Sequence, residues 1–250
     1  MMNFLKLPLL KRLIPSLRRR VRLIFNRQIF WTKIDDIFYL INIQEKLDRE
    51  FYYKKKYEEN NFKFIFEYKF FEKPFIFIDI GSNLGIYSLT ISKNFKNCNK
   101  VLAFEPILET YKKLKLNIQK NSMNHNIIAA NIALSNINET RKMKSILKNN
   151  QIQSAVYKIN HNGNVNVISK VFDELYNFNN KNIFIKCDTE EHEFEIIQGM
   201  KKNLKENNCL IQIEIFDRNF KKLDSLLNEL GYQLAKKTLE KDTYFYIKKN

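Results

Sequence analysis

The chain has 250 residues, 44% hydrophobic, 14% aromatic and 28% charged, enough to bury one sizeable core, so it is neither disordered throughout nor fibrous. Five Gly and four Pro argue against collagen-like or linker architecture, no apolar run approaches bilayer-spanning length, and Cys98, Cys187 and Cys209 form no CxxC pair. Neither a disulfide framework nor a structural zinc site is expected, and a reducing, cytoplasmic compartment fits.

The formal net charge of +16 raises nucleic acid or an anionic membrane as partners. Its distribution changes that reading, because residues 1–34 hold nine basic and no acidic residues, leaving +7 on the rest. Six of the nine Arg lie between Arg12 and Arg27, whereas the 34 Lys are scattered through a chain rich in Asn, Ile and Phe. The scattered lysines follow from compositional bias; the Arg cluster is the informative feature, and nucleic acid is not the expected partner.

Residues 1–30 place Leu10, Leu13, Ile14, Leu17, Val21, Ile24 and Phe25 at helical spacing between basic residues, with Pro8 and Pro15 interrupting. This basic amphipathic segment suits peripheral contact with an anionic membrane surface, and equally a helix packed on the domain that follows. It lacks the uninterrupted apolar stretch and small-residue cleavage site of a signal peptide. Residues 31–73 read as a continuing helical, aromatic region, so residues 1–73 form an N-terminal cap and residues 74–250 the main domain.

From Pro74 onward strands and helices alternate. Phe75–Ile80 is a buried strand, Ile86–Lys93 a helix, Lys100–Glu105 a strand, Glu109–Lys120 a helix and Asn126–Leu134 a third strand. A hairpin around Asn162-Gly163 is expected between Ser145 and Val171. Asn182–Cys187 is the fourth strand, Glu193–Asn203 a helix and Cys209–Phe216 the fifth strand, and Gly231–Lys248 holds an antiparallel pair. The fold class is α/β: a Rossmann-like, doubly wound, mostly parallel sheet with an antiparallel edge strand, preceded by a helical basic extension.

The turn after the first of these strands reads Asp79-Ile80-Gly81-Ser82-Asn83-Leu84-Gly85. In a doubly wound sheet this turn faces the ligand crevice, where glycines admit a ligand to the backbone and the helix start offers free N–H groups. Asp79 would repel a pyrophosphate, the spacing is not that of a dinucleotide fingerprint, and no Walker Lys-Ser/Thr pair follows. An acidic turn suits a ligand with ammonium and sulfonium groups, such as S-adenosylmethionine. Glu105, 24 residues beyond Gly81 at the end of the next strand, is placed to meet ribose hydroxyls.

The blocks DIGSNLG, AFEP, NIALSN, FDEL and IKCDTEEHE together resemble the FkbM-type family of S-adenosylmethionine-dependent methyltransferases, over roughly Phe75 to Phe216. The resemblance implies that Asp79, Gly81, Asn83 and Gly85 hold the methionine part of the cofactor, Glu105 the ribose, and Asn131 the adenine side. It also implies O-methylation of a hydroxyl on a sugar, glycan or related small molecule. One position departs: Glu191 stands where the family motif usually has glycine, and a positive φ there would cost roughly 1–2 kcal/mol.

A neutral hydroxyl needs a proton acceptor, and the end of the fourth strand lies beside the first at the crevice. Asp188, Glu190 and His192 fall there and are the catalytic candidates; no ligand spacing specifies a metal. The alternatives are an RNA methyltransferase, which the charge suggests but no RNA-binding module supports, and a cofactor-binding partner without activity. The oligomeric state is not legible in the sequence.

Overall fold

The computed structural model describes residues 28–148, 151–159, 163–239 and 242–249, with residues 145–148 and 151–159 described by backbone alone. Most of the basic amphipathic segment, residues 1–27, lies outside the described residues, as do Asn162 and the turn expected there. The chain divides into two compact units, Met1–Tyr57 and Glu58–Asn250.

In the first unit, β1 (Ile29–Ile34) and β2 (Ile37–Asn42) form an antiparallel hairpin, followed by α1 (Lys46–Lys54). A continuing helix was the expectation for this stretch, and the hairpin corrects it. Asp35 and Asp36 both take positive φ, 47° and 60°, the combination a two-residue type I′ turn requires. Ile37, Tyr39 and Ile41 then alternate onto one buried face. Tyr39 meets Phe51 of α1 edge-on at 5.0 Å, and buried Asp48 accepts the Asn42 N–H at 2.8 Å.

The larger unit begins with α2 (Glu59–Glu67), so the boundary falls before residue 58 rather than at 73. Residues 58–73 belong with the sheet for a packing reason: Phe62 stacks on Tyr87, Phe64 meets Phe245 and Phe71 meets Phe184.

The elements follow as β3 (Phe75–Ile80), α3 (Ile86–Asn94), β4 (Cys98–Phe104), α4 (Leu108–Lys120), β5 (Ile127–Ala130), β6 (Ala133–Ser135), β7 (Glu139–Lys148), β8 (Gln151–Ile159) and β9 (Val165–Val171). After them come α5 (Phe172–Leu175), β10 (Asn182–Cys187), α6 (Glu193–Gln198), α7 (Lys201–Glu206), β11 (Asn208–Glu214), α8 (Asp217–Glu229), β12 (Tyr232–Lys237) and β13 (Thr243–Lys248). Seven strands make the main sheet, in the order β12-β13-β11-β10-β3-β4-β5. The antiparallel strand is β13, one place in from the edge, pairing β11 on one side and β12 on the other. The other neighbours are parallel, and the strand order reverses beside β3, which makes its carboxyl end a topological switch point.

Three expected elements change in detail. The strand over 126–134 is two strands in different sheets, β5 and β6, broken where the Asn131 side chain donates to the Glu105 and Pro106 carbonyls, each at 2.9 Å. The hairpin centred on Asn162-Gly163 does not form: β8 and β9 each pair with β7, giving a four-stranded sheet ordered β6-β9-β7-β8. The helix over 193–203 splits into α6 and α7 around Gly199, where a Cβ would lie 2.0 Å from the Ser135 carbonyl oxygen.

Helix α8 lies between the fifth strand and the last hairpin, burying Leu223, Leu226 and Leu227 at helical spacing. These residues join a core of Ile78, Ile80, Ile183, Ile185, Ile211 and Ile213 from β3, β10 and β11. The opposite face of these strands is not wholly apolar, because Asp79, Lys186 and Gln212 stand in register on three adjacent strands. Each is buried, which is costly without partners and directs attention to this row.

Candidate active site

The loop after β3 is fastened on both sides. Gly81 and Ser82 donate their N–H groups to the Phe104 carbonyl at 3.1 and 3.0 Å, and the Ser82 hydroxyl donates to the Asp79 carbonyl at 2.7 Å. Asn117 of α4 reaches back to the Leu84 carbonyl at 2.8 Å. Gly81, Asn83 and Gly85 take positive φ (77°, 50° and 89°). A Cβ on Gly81 would meet the Asp188 carbonyl oxygen, and one on Gly85 would meet Leu114 at 2.6 Å. These glycines therefore serve close packing as well as the turn.

Asp79 is buried, and its Oδ2 accepts from the Ser88 N–H at 3.1 Å and the Ser88 hydroxyl at 2.6 Å. Its Oδ1 has no hydrogen-bond partner among the described residues. Burial raises its pKa above the ordinary carboxylate range, against the pull of Lys186. Glu105 accepts the Asn83 N–H at 3.0 Å through one oxygen and the Ile107 N–H at 2.9 Å through the other. Burial nonetheless pushes its carboxyl up to about 7. Asn131 spends both amide hydrogens on the Glu105 and Pro106 carbonyls, so its donors fix the carbonyls behind Glu105.

The end of β10 carries a second polar group. Lys186, 4% exposed, donates to Asp188 Oδ2 at 2.9 Å, with its ammonium 4.9 Å from the Tyr87 ring centre. Burial alone would lower the Lys186 pKa, but Asp188, Glu58 and Asp79 outweigh it and hold the ammonium charged. Burial alone would raise Asp188, yet Lys186 and a hydrogen bond with Glu214 hold its carboxyl below the ordinary range. Glu214 moves the other way, raised by burial and by the charge of Asp188 beside it. Lys186 thus favours the ionised form of Asp188, and the charge of Asp188 favours the protonated form of Glu214.

The three catalytic candidates do not converge. Asp188 lines a cavity with Glu58, Lys186, Gln212 and Glu214. Glu190, at φ 55°, lies close enough to Glu214 to help raise its pKa. His192 is turned toward the smaller sheet, with Nε2 3.0 Å from the Ser135 hydroxyl and 3.5 Å from Arg141, and Nδ1 3.4 Å from Glu195. Burial, together with Arg141, lowers its pKa to about 4 and keeps the ring neutral. Glu191 takes φ 80° and pairs with Arg218. Glu193, raised to about 7 chiefly by burial, accepts from the N–H groups of Thr189 and Glu191 at 3.1 and 3.2 Å and holds the loop in shape.

Lys186 lies inside the motif block that ends the fourth predicted strand, whereas Gln212, Glu214 and Glu58 were not among the residues that motif spacing singled out. Lys186 and Gln212 interrupt otherwise apolar strands, and that interruption is the sequence signal that marks them. Among the described residues, no group of three or more His, Cys, Asp or Glu is arranged to hold a metal ion. Nor, among them, is any helix long and apolar enough to cross a membrane.

A parallel sheet with its strand order reversing beside an acidic, glycine-bearing turn defines an α/β cofactor-binding domain. The chain belongs to the FkbM methyltransferase family: the model of the Methyltransferase FkbM domain matches residues 79–234, more than half of the chain. Its cofactor is S-adenosylmethionine. The fold is similar to that of the methyltransferase FkbM from Methylobacillus flagellatus KT, with 16% identity and a TM-score of 0.48, covering 68% of this chain and 42% of that one. This chain thus spans less than half of that protein. Ribosomal protein L11 methylase from Lactobacillus delbrueckii subsp. bulgaricus is similar at 13% identity and a TM-score of 0.47, over 78% of this chain and 81% of that one. Trm5b from Pyrococcus abyssi is similar at 11% identity and a TM-score of 0.47, over 88% and 55% of the two chains. No curated protein sequence matches the chain.

The residues present fit the cofactor. Asp79 offers a buried oxygen with no hydrogen-bond partner among the described residues, and a carboxylate at that place suits a cationic ligand.

Proposed function

We propose that the protein transfers the methyl group of S-adenosylmethionine to a hydroxyl oxygen of a sugar, glycan or related small molecule. The observation that carries this reading is the Asp188 carboxylate: ionised, held by Lys186, and set on the strand end that packs directly against Gly81 of the cofactor loop. When bound, the cofactor supplies an electrophilic methyl carbon on a positively charged sulfur. Asp79, Gly81, Asn83 and Gly85 would hold its methionine part, Glu105 its ribose hydroxyls, and Asn131 the backbone behind Glu105.

Asp188 orients the acceptor hydroxyl and takes its proton. A low carboxyl pKa is no obstacle, because a hydroxyl oxygen acquiring a third substituent becomes far more acidic than a carboxylic acid. Lys186 keeps Asp188 ionised, and Glu214 supports it by a hydrogen bond. Glu190 borders the same carboxyls.

The test is incubation of the full chain with methyl-labelled S-adenosylmethionine and pools of sugar nucleotides and lipid-linked glycans. Label recovered as an alkali-stable methyl ether, and lost in Asp188→Asn, is the expected result. Label recovered only on nitrogen, or as an alkali-labile ester, would overturn it.

A further inference from the structure

Gln212 is 2% exposed and lines the cavity at the ends of β10 and β11. Its Nε2 donates to the Tyr87 hydroxyl at 2.7 Å, and that hydroxyl donates to Glu58 Oε2 at 2.5 Å. Glu58 settles the polarity of this relay. A carboxylate only accepts, so the Tyr87 proton points toward Glu58, and the Tyr87 oxygen must accept from Gln212. A reversed amide would set Oε1 against an oxygen whose proton is already committed. The Gln212 carbonyl oxygen is therefore turned away from Tyr87, and this buried Oε1 has no hydrogen-bond partner among the described residues.

The surrounding chemistry narrows what could supply the missing donor. Gln212 lines the cavity together with the carboxyl-bearing Asp188, Glu58 and Glu214, while the Lys186 ammonium is committed to Asp188. An acceptor-rich wall of this kind admits a ligand that donates and repels carboxylates and phosphates. Its volume is about 140 Å³, close to the roughly 150 Å³ of a protein cavity that holds one benzene molecule. A six-membered ring carrying hydroxyls is bulkier than benzene, so it would enter in part and extend outside.

We propose that Gln212 determines acceptor specificity, its Oε1 accepting a hydrogen bond from a hydroxyl of a ring-sized neutral polyol, with Tyr87 and Glu58 as positioning residues that fix the amide. The hydroxyl read by Gln212 need not be the one that is methylated. This rests on the hydroxyl-acceptor reading above and adds the residue that selects among such acceptors.

The test uses the full chain saturated with S-adenosylhomocysteine. It is titrated, with saturation-transfer NMR, against myo-inositol and the methyl α-glycopyranosides of glucose, mannose and galactose, together with their monodeoxy counterparts. Wild type is expected to bind at least one parent compound and to bind one of its deoxy forms roughly ten- to a hundredfold more weakly, the cost of leaving a buried acceptor unpaired. In Gln212→Met this discrimination should collapse while affinity for S-adenosylhomocysteine is kept, a change that loss of packing alone would not produce. If Gln212→Met does not fold, Tyr87→Phe serves instead, because it leaves the amide held only by the 3.5 Å approach of its Nε2 to Glu58 Oε2 and should blunt the same discrimination.

Discrimination unchanged in the variants, or no binding of any parent compound by wild type that binds S-adenosylhomocysteine, would overturn the proposal. Discrimination that depends on Gln212 without any methyl ether product would instead overturn the hydroxyl-transfer reading and leave the subsite standing.

Discussion

Gly81 lies against the carbonyl oxygen of Asp188 so closely that a Cβ would sit 2.0 Å from it. The contact joins the turn proposed to hold the cofactor to the strand end that carries the proposed base. Neither can shift without the other, since the Asp188 N–H also donates to the Ile80 carbonyl at 3.2 Å. Gly81→Ala meets a backbone atom, which cannot swing aside, and a φ of 77° that alone costs about 1–2 kcal/mol. The expected loss is about 2 kcal/mol or more of stability, with at least a tenfold weaker affinity for S-adenosylmethionine. Chemical denaturation and calorimetric titration check the two effects separately.

Glu191 is expected to behave in the opposite way. At φ 80° a glycine is relieved of strain, and the ion pair with Arg218 is partly exposed and worth little. Glu191→Gly should be neutral or slightly stabilising, whereas Glu191→Ala keeps the strain and loses the pair. The two variants should differ by about 1 kcal/mol in favour of glycine. Equal stabilities in urea melts would show that the loop relaxes when its side chain is cut back.

How much of this was legible beforehand depended on period and place. Phe75–Ile80 and Asn182–Cys187 are short, mostly apolar runs, and both are the strands their sequence predicts. Asp79 and Glu105 stand out as carboxylates at strand ends, Asp79 one residue before the end of its strand and Glu105 directly after the next one. The hairpin of residues 29–42 was hidden because its aromatic and β-branched residues also sit at helical intervals, and its turn is Asp-Asp rather than Asn-Gly. The pairing of β7 with both β8 and β9 is a long-range choice that no local pattern encodes. Gln212 shows in the sequence only as an interruption of an apolar strand, because its meaning comes from Tyr87 and Glu58, brought to it from distant parts of the chain.

Asp188 and His192 lie four residues apart in sequence and face different surroundings, so their variants should separate. Asp188→Asn removes the ionised group and should lower kcat on the order of 10²–10⁴-fold. His192→Gln keeps a polar group beside Ser135 and should lower it less than about tenfold. With a pKa near 4, the His192 ring stays neutral from pH 5 upward, so it should leave no inflection in the pH–rate profile near 6.5. An inflection there that vanishes in His192→Gln would return the base role to the histidine.

The basic arm is testable without reference to the reaction. Residues 1–27 carry eight Lys and Arg and no acidic residue, and deleting them leaves β1 whole. We propose that they contact an anionic membrane, each basic residue near the surface adding about 1 kcal/mol. Wild type should partition onto phosphatidylserine vesicles and come off as salt is raised, and the deletion should not partition. Equal partition of the two forms would sink the anchor.

Glu105 and Glu193 make stability depend on pH in a definite direction. Burial raises both carboxyls from the ordinary 4.5 to about 7 in the folded protein. Between those values the native state retains protons that the unfolded chain has released, so stability should fall as pH rises from about 4.5 to 7 and level off above. The slope is at most about 1.4 kcal/mol per pH unit for each group. Cofactor binding should run the other way, because the sulfonium ligand favours the ionised form of the carboxyl proposed to hold its ribose. Affinity for S-adenosylmethionine should therefore rise between pH 6 and 8, and Glu105→Gln should flatten that rise while weakening binding throughout. Calorimetric titrations at pH 6, 7 and 8 on both proteins read this directly, and a slope that survives in Glu105→Gln would assign the proton to another group.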